Sequence, residues 1–255
     1  MTITFIGTAS GVPVPHRRHS CVLVEHGEVA ELIDAGEGCA AGLVSLDRDT
    51  QRIRSVWVSH THADHVSGLP LLLQHMHLRG RTEHLDILVP PGREPWFLNW
   101  LQGMYIFQEK WSFPFCIKAL EHITTAGGLR IQPVPNTHLD KSRELAARHG
   151  VPAQAWSFVL MCDETSVLLS SDIAGIADVE EYARNVQLAI LDVAHVPMDD
   201  VFRLAERCTD LEIFCTHIPP ELETKLVSLC KRSVQDHGGR IHFAEDGMRV
   251  APGRG

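Results

Sequence analysis

Positions 59 to 65 read Ser59-His60-Thr61-His62-Ala63-Asp64-His65, three histidines and an aspartate within six residues, directly after the apolar-rich run Ile53 to Val58. A strand that ends in such a cluster carries its donors to the edge of a sheet, where loops can close over them. His60 and His62 alternate by two and can point to one side, while Asp64 and His65 fall in the turn that opens the next helix. Imidazole nitrogens and carboxylate oxygens suit zinc, iron or manganese, and the spacing admits two ions. His75 and His77 repeat the H-x-H spacing inside Leu71 to Leu78, which reads as helix. Residues two apart on a helix diverge, so that pair is expected to be structural.

A two-ion site needs more donors than one loop can offer, and they must come from several strand ends. Three lone residues follow apolar runs in that way: His138 after Ile131 to Thr137, Asp172 after Val167 to Ser171, and His217 after Ile213 to Thr216. As a set at equivalent positions they become the favoured partners of the cluster.

Short apolar runs recur between turn residues: Ile3 to Ile6, Cys21 to Val24, Ala30 to Ile33, Ser55 to Val58, Ile87 to Val89, Ile131 to Val134, Ser157 to Met161, Val167 to Leu169, Leu188 to Leu191, Glu212 to Cys215 and Ile241 to Phe243. Each predicts a strand. Helical patterns interleave at Cys39 to Leu46, Val66 to Leu78, Glu94 to Tyr105, Lys141 to His149, Val179 to Arg184, Asp200 to Arg207 and Glu221 to Asp236. Meanders of strands followed by alternation with helices in both halves predict two packed sheets with helices outside, in one domain over 1–255.

The formal charge of -9 argues against non-specific attraction to nucleic acid or a membrane surface. Seven cysteines, odd in number and without a C-x-x-C pair, fit reduced thiols in the cytoplasm. No leader pattern and no membrane-spanning apolar stretch is present, so a cytoplasmic protein is expected.

Together with H-x-H-x-D-H, the opening Phe5-Ile6-Gly7-Thr8-Ala9-Ser10-Gly11-Val12-Pro13, the stretch Leu32-Ile33-Asp34-Ala35-Gly36-Glu37-Gly38, and Gly68-Leu69-Pro70 resemble the metallo-β-lactamase-fold hydrolases, most closely their ribonuclease Z-like branch. The resemblance extends to Ala244-Glu245-Asp246-Gly247-Met248. It implies a four-layered αββα sandwich and a dinuclear metal-dependent hydrolase working through a metal-bridging hydroxide. His60, His62 and His138 would hold one ion, Asp64, His65 and His217 the other, and Asp172 would bridge them. Zinc is the first expectation, with manganese or iron as alternatives. Asp64 would also orient the nucleophile, and Asp34 would support the histidine loop from behind.

Two departures matter. Where that branch carries a His-Glu pair for the leaving group, this chain has Asp192 and His195, which makes His195 the candidate acid. The branch's long transfer-RNA-gripping arm has no room in the 33 residues numbered 139–171, which hold a helix and two strands. A small anionic or ester-like substrate is therefore expected, a phosphodiester first, and transfer RNA is disfavoured. Arg17 and Arg18, in the loop after the first strand, are candidate holders of an anionic group. Eight of the 16 aromatics lie between Trp96 and Phe115, a dimer surface in preference to a lid or core. A lactone or thioester hydrolase, a di-iron oxygenase-like protein and a ligand-binding protein without turnover are the alternative functions.

Overall fold

The computed structural model describes residues 1–125 and 127–252, leaving the side chains of 123 and 124 undescribed. The strands are β1 (Thr2–Gly7), β2 (Cys21–His26), β3 (Val29–Ile33), β4 (Ile53–Trp57), β5 (Leu85–Val89), β6 (Phe115–Ala119), β7 (Ile123–Thr124), β8 (Arg130–Asn136), β9 (Ala155–Cys162), β10 (Thr165–Leu169), β11 (Leu188–Asp192), β12 (Glu212–Thr216), β13 (Ile241–Phe243) and β14 (Arg249–Val250). The α-helices are α1 (Cys39–Ser45), α2 (Ala63–Val66), α3 (Leu69–Leu78), α4 (Glu94–Gly103), α5 (Arg143–Arg148), α6 (Glu180–Ala183), α7 (Met198–Arg207), α8 (Pro220–Glu223) and α9 (Leu226–His237).

The strands form two seven-stranded sheets, ordered β14-β1-β2-β3-β4-β5-β6 and β13-β12-β11-β10-β9-β8-β7. Each has an antiparallel part, β14 to β3 in one and β7 to β10 in the other, and continues in parallel through three further strands. The two halves therefore repeat one arrangement, hairpins first and crossovers after. The inner faces meet through Ile3, Phe5, Ile33, Trp57, Phe158, Leu160 and Ile190. One outer face packs Leu32, Val56 and Ile87 against Leu69, Leu73 and Phe97, and the other packs Ala189 and Ile213 against Val201 and Phe202. Apolar residues on both faces of the central strands leave little room for polar ones, the pattern that a sheet covered on both sides demands. The result is the expected αββα sandwich.

The pattern over Val66 to Leu78 resolves into α2 and α3, and the one over Glu221 to Asp236 into α8 and α9. Gly68 breaks the first because its backbone packs onto the turn after β3, where a Cβ would collide with the carbonyl oxygen of Gly36. The aromatic segment is mostly core, contrary to the expected dimer surface. Phe97, Phe113 and Phe115 are buried, Trp100 and Trp111 pack against them, and only Trp96 and Tyr105 among the eight are exposed. All seven cysteines are free. No helix among the described residues is long and apolar enough to cross a membrane.

Candidate metal centre

The parallel strands of both sheets end at the same edge of the sandwich, and every donor proposed above gathers there. β4 delivers His60 and His62, and α2 begins on Ala63 so that Asp64 and His65 turn back toward them. The loops after β8, β10 and β12 bring His138, Asp172 and His217. Among the described residues three donor groups result at this edge: His60, His62, His138 and Asp172; Asp64, His65, His217 and Asp172; and Asp172, Asp192, His195 and His217. Asp172 belongs to all three.

The spacings suit coordination. Asp172 Oδ2 lies 3.7 Å from the Nε2 atoms of His60 and His138 and 3.4 Å from that of His217, while its Oδ1 is 3.2 Å from His65 Nε2. Asp64 Oδ2 is 3.6 Å from His65 Nε2 and 3.7 Å from His217 Nε2. Donors held about 2 Å from one tetrahedral ion lie roughly 3.3 Å apart, so these gaps match the edges of two coordination shells. The buried atoms His60 Nε2, His65 Nε2 and Asp172 Oδ1 have no hydrogen-bond partner among the described residues. Buried polar atoms normally have one, and these three converge on the space an ion would fill.

Electrostatics set the donors apart. Burial holds the His60 imidazole well below its usual range and lowers His62, and it takes His138 down to about 4. Such shifts favour the neutral rings, whose lone pairs can meet a cation, and His138 Nε2 and His62 Nδ1 face one another at 3.3 Å. Burial opposes a charge on His65 as well, but Asp172 and Asp34 outweigh it and raise that ring; burial likewise opposes the Asp172 carboxylate, which His65 and His217 hold well below its usual range.

A second layer orients the donors. Asp34, after β3, accepts hydrogen bonds from Ser59 N and Ser59 Oγ, both at 2.8 Å, and sits 2.7 Å from His65 Nδ1. A proton on that nitrogen leaves Nε2 free to coordinate. Ser20 Oγ lies 3.0 Å from His217 Nδ1, and Asn136 donates to the Asp172 carbonyl at 3.0 Å. Neither Ser20 nor Ser59 stood out in the sequence; only the position of Ser59 beside His60 hints at its task. Asp34, Ser171 and His217 all have φ between 46° and 59°. Side chains rarely adopt that conformation, and here it aims three neighbouring loops at one point. Gly36 is needed for a different reason: a Cβ there would collide with the carbonyl of Asp64.

His195 stands at the mouth of the site, its side chain 39% exposed. Its Nδ1 is 2.8 Å from Asp192 Oδ2, and its ring stacks 5.6 Å from that of His217 and meets His138 edge-on at 4.7 Å. The bond to Asp192 raises the pKa of the ring. Asp192 is itself fixed, its Oδ1 accepting from Ala194 N at 2.8 Å and its backbone N donating to Ser170 Oγ at 2.9 Å.

Arg17 and Arg18 are placed elsewhere. Arg17 is buried against Glu223, with Nε donating to the carboxylate at 2.5 Å and Nη1 to Thr8 Oγ1 at 2.7 Å and the Ala244 carbonyl at 2.6 Å. Arg18 donates through its backbone N to Asp246 at 2.7 Å and through its guanidinium to Asp246 and Ser45. Both strap the first loop to the C-terminal segment, and their donors are engaged there instead of being offered to an anion.

A family model described as "Anti-Pycsar protein Apyc1" matches residues 1–196, more than half of the chain. The chain belongs to the Apyc1 family. This Apyc1-family chain is also 38% identical over 91 residues to ribonuclease Z of Methanococcus aeolicus, a match covering 36% of this chain and 28% of that protein. With ribonuclease Z of Acaryochloris marina it shares 40% over 124 residues, covering 48% and 38%. The matched segments thus span well under half of these relatives. Among solved structures, the short form of human tRNase Z superposes with a TM-score of 0.73 at 18% identity, covering 98% of this chain and 99% of that one. The metallo-β-lactamase-fold protein YhfI from Bacillus subtilis reaches 0.74 at 19%, covering 98% of each. The Apyc1-family chain therefore has the metallo-β-lactamase fold.

Proposed function

We propose that the protein is a metal-dependent hydrolase, and more narrowly a phosphodiesterase for a small substrate; two divalent ions, zinc first, would be held by His60, His62 and His138 on one side and Asp64, His65 and His217 on the other, with Asp172 shared between them. The observation that carries this reading is the shared carboxylate of Asp172 between two donor groups whose inward-facing buried atoms lack other partners. When bound, such ions lower the pKa of water toward neutrality and neutralise charge on the phosphoryl oxygens. The chain's own residues do the rest. Asp64 orients the attacking water from beside Gly11, where a Cβ would lie 3.4 Å from its Oδ2. Asp192 keeps the proton of His195 Nδ1, so protonated His195 donates from Nε2 to the departing oxygen.

A small diester is favoured because α5, β9 and β10 occupy the interval from His138 to Asp172, where a gripping arm for transfer RNA would have to be inserted. Metal analysis with assays on a bis-aryl phosphate, an alkyl phosphodiester, a lactone, a thioester and a precursor transfer RNA tests the reading. Two equivalents of metal with diesterase activity abolished by Asp64→Ala is the expected result. Full loading with hydrolysis confined to the lactone or thioester, or to transfer RNA, overturns it. His195→Gln should lower kcat on the alkyl diester by about 10²- to 10⁴-fold, the usual worth of general acid catalysis. It should change the bis-aryl rate little, because that leaving group needs no proton.

A further inference from the structure

Arg17, Arg81 and Arg93 are the buried arginines among the described residues, and only two of them are neutralised or saturated locally. Arg17 pairs with Glu223. Arg81 donates to the backbone carbonyls of Thr50, Gln51, Ile53, Glu83 and His84. Arg93 is 8% exposed, has no carboxylate within salt-bridge reach among the described residues, and donates from Nη2 to a single neutral partner, Thr61 Oγ1 at 3.2 Å. Its Nε is buried without a hydrogen-bond partner among the described residues. An enclosed cation with spare donors is costly, and the usual remedy is an anion.

The place of Arg93 indicates which anion. Thr61 is the residue between His60 and His62, so the hydroxyl that the guanidinium meets belongs to the histidine motif itself. It gets there because β5 lies parallel to β4, with Leu88 opposite Trp57, so that the loop after β5 ends beside the histidine motif. A turn in which Arg93 N donates to the Pro90 carbonyl at 3.0 Å sets the start of α4. The guanidinium carbon lies 4.7 Å from the centre of the Trp96 ring, and Trp96 stacks on Trp100 at 5.3 Å and 16°. That stack restrains the guanidinium through its face and takes up none of its in-plane donors, of which Thr61 uses one; the remainder suit the oxygens of a phosphate.

We propose that Arg93 is a substrate-binding residue that clamps the phosphate oxygens of the substrate on the Thr61 side of the centre, the role that Arg17 and Arg18 are not placed to fill. This rests on the phosphodiesterase reading, and inorganic phosphate provides a probe that does not. Phosphate binding to the zinc-loaded protein should weaken about 10- to 100-fold in Arg93→Gln, the range for a charge-assisted hydrogen bond. KM for a bis-aryl phosphate should rise by a similar factor with a smaller change in kcat, while zinc content and melting temperature stay at wild-type values. Arg93→Lys should recover part of the loss, because an ammonium keeps the charge and not the fork. Unchanged phosphate affinity in Arg93→Gln overturns the proposal. So does a parallel loss of zinc and phosphate in both variants, which would make Arg93 a prop for the histidine loop. If the wild type binds phosphate through Arg93 yet cleaves no diester, the clamp stands and the proposed reaction falls.

Discussion

Asp34 shows how much the proposed centre would depend on residues outside its donor set. Its carboxylate takes two donors from Ser59 and faces His65 Nδ1 at 2.7 Å, fixing both the turn and the tautomer. Asp34→Asn should cost about 10- to 100-fold in metal affinity, the usual price of losing such a partner, with little change in fold; competition with a chelator followed by metal analysis measures it, and unchanged affinity would reduce Asp34 to a turn residue. The histidine motif and Asp34 were legible in the sequence because donor density and strand ends coincide within a few residues. Arg17 and Arg18 misled because their partners, Glu223 and Asp246, lie more than 200 positions away, and local composition cannot show that a basic loop is already paired. Arg93 was missed for the opposite reason: it stands alone after Pro90-Pro91-Gly92, and its importance comes from the neighbouring strand.

Among the elements, β3 carries the least expected residue. Glu31 is fully buried between the sheets, its Oε2 accepting from Ser55 Oγ and, at 3.2 Å, from Trp57 Nε1, while Oε1 has no partner among the described residues. Burial raises its pKa from 4.5 to about 7. The folded state therefore keeps a proton that the unfolded chain releases near pH 4.5, so this group disfavours folding increasingly as pH rises from there through 7. The whole penalty is on the order of 3 kcal/mol. Thermal melts of Glu31→Gln should show a flatter stability profile between pH 5 and 8 than the wild type, and an equal slope would show that Glu31 is relieved by another contact. Most strands were legible from their apolar runs, but β6 was hidden within the aromatic stretch and β14 is two residues long. The divided helices reflect tertiary contacts at Gly68 and a pair of short turns after Pro219, neither of which periodicity can show.

At the scale of the molecule, the two halves repeat one strand arrangement and share one site. His60, His62, Asp64 and His65 come from the first sheet's crossovers, and His138, Asp172 and His217 from loops of the second. Alternating strands and helices made the layered architecture legible, whereas the repetition of its two halves emerges only from strand pairing. Ions held by the proposed donors of both sheets would stabilise the docked state by mass action, about 3 to 4 kcal/mol when free metal exceeds Kd by 100- to 1,000-fold. Chelation should therefore lower Tm by roughly 5 to 15 °C for a chain of this size while far-ultraviolet circular dichroism is retained, and Asp172→Ala should remove most of that difference; a chelator-insensitive Tm in the wild type would argue against ions spanning the sheets. The pairing of Ile3 with Val250 has a practical meaning. β1 runs toward the metal donors and β14 runs antiparallel to it, so both ends of the described chain emerge side by side at the pole opposite the centre. A tag or neighbouring domain joined at either end would hang there like a handle, out of the substrate's path.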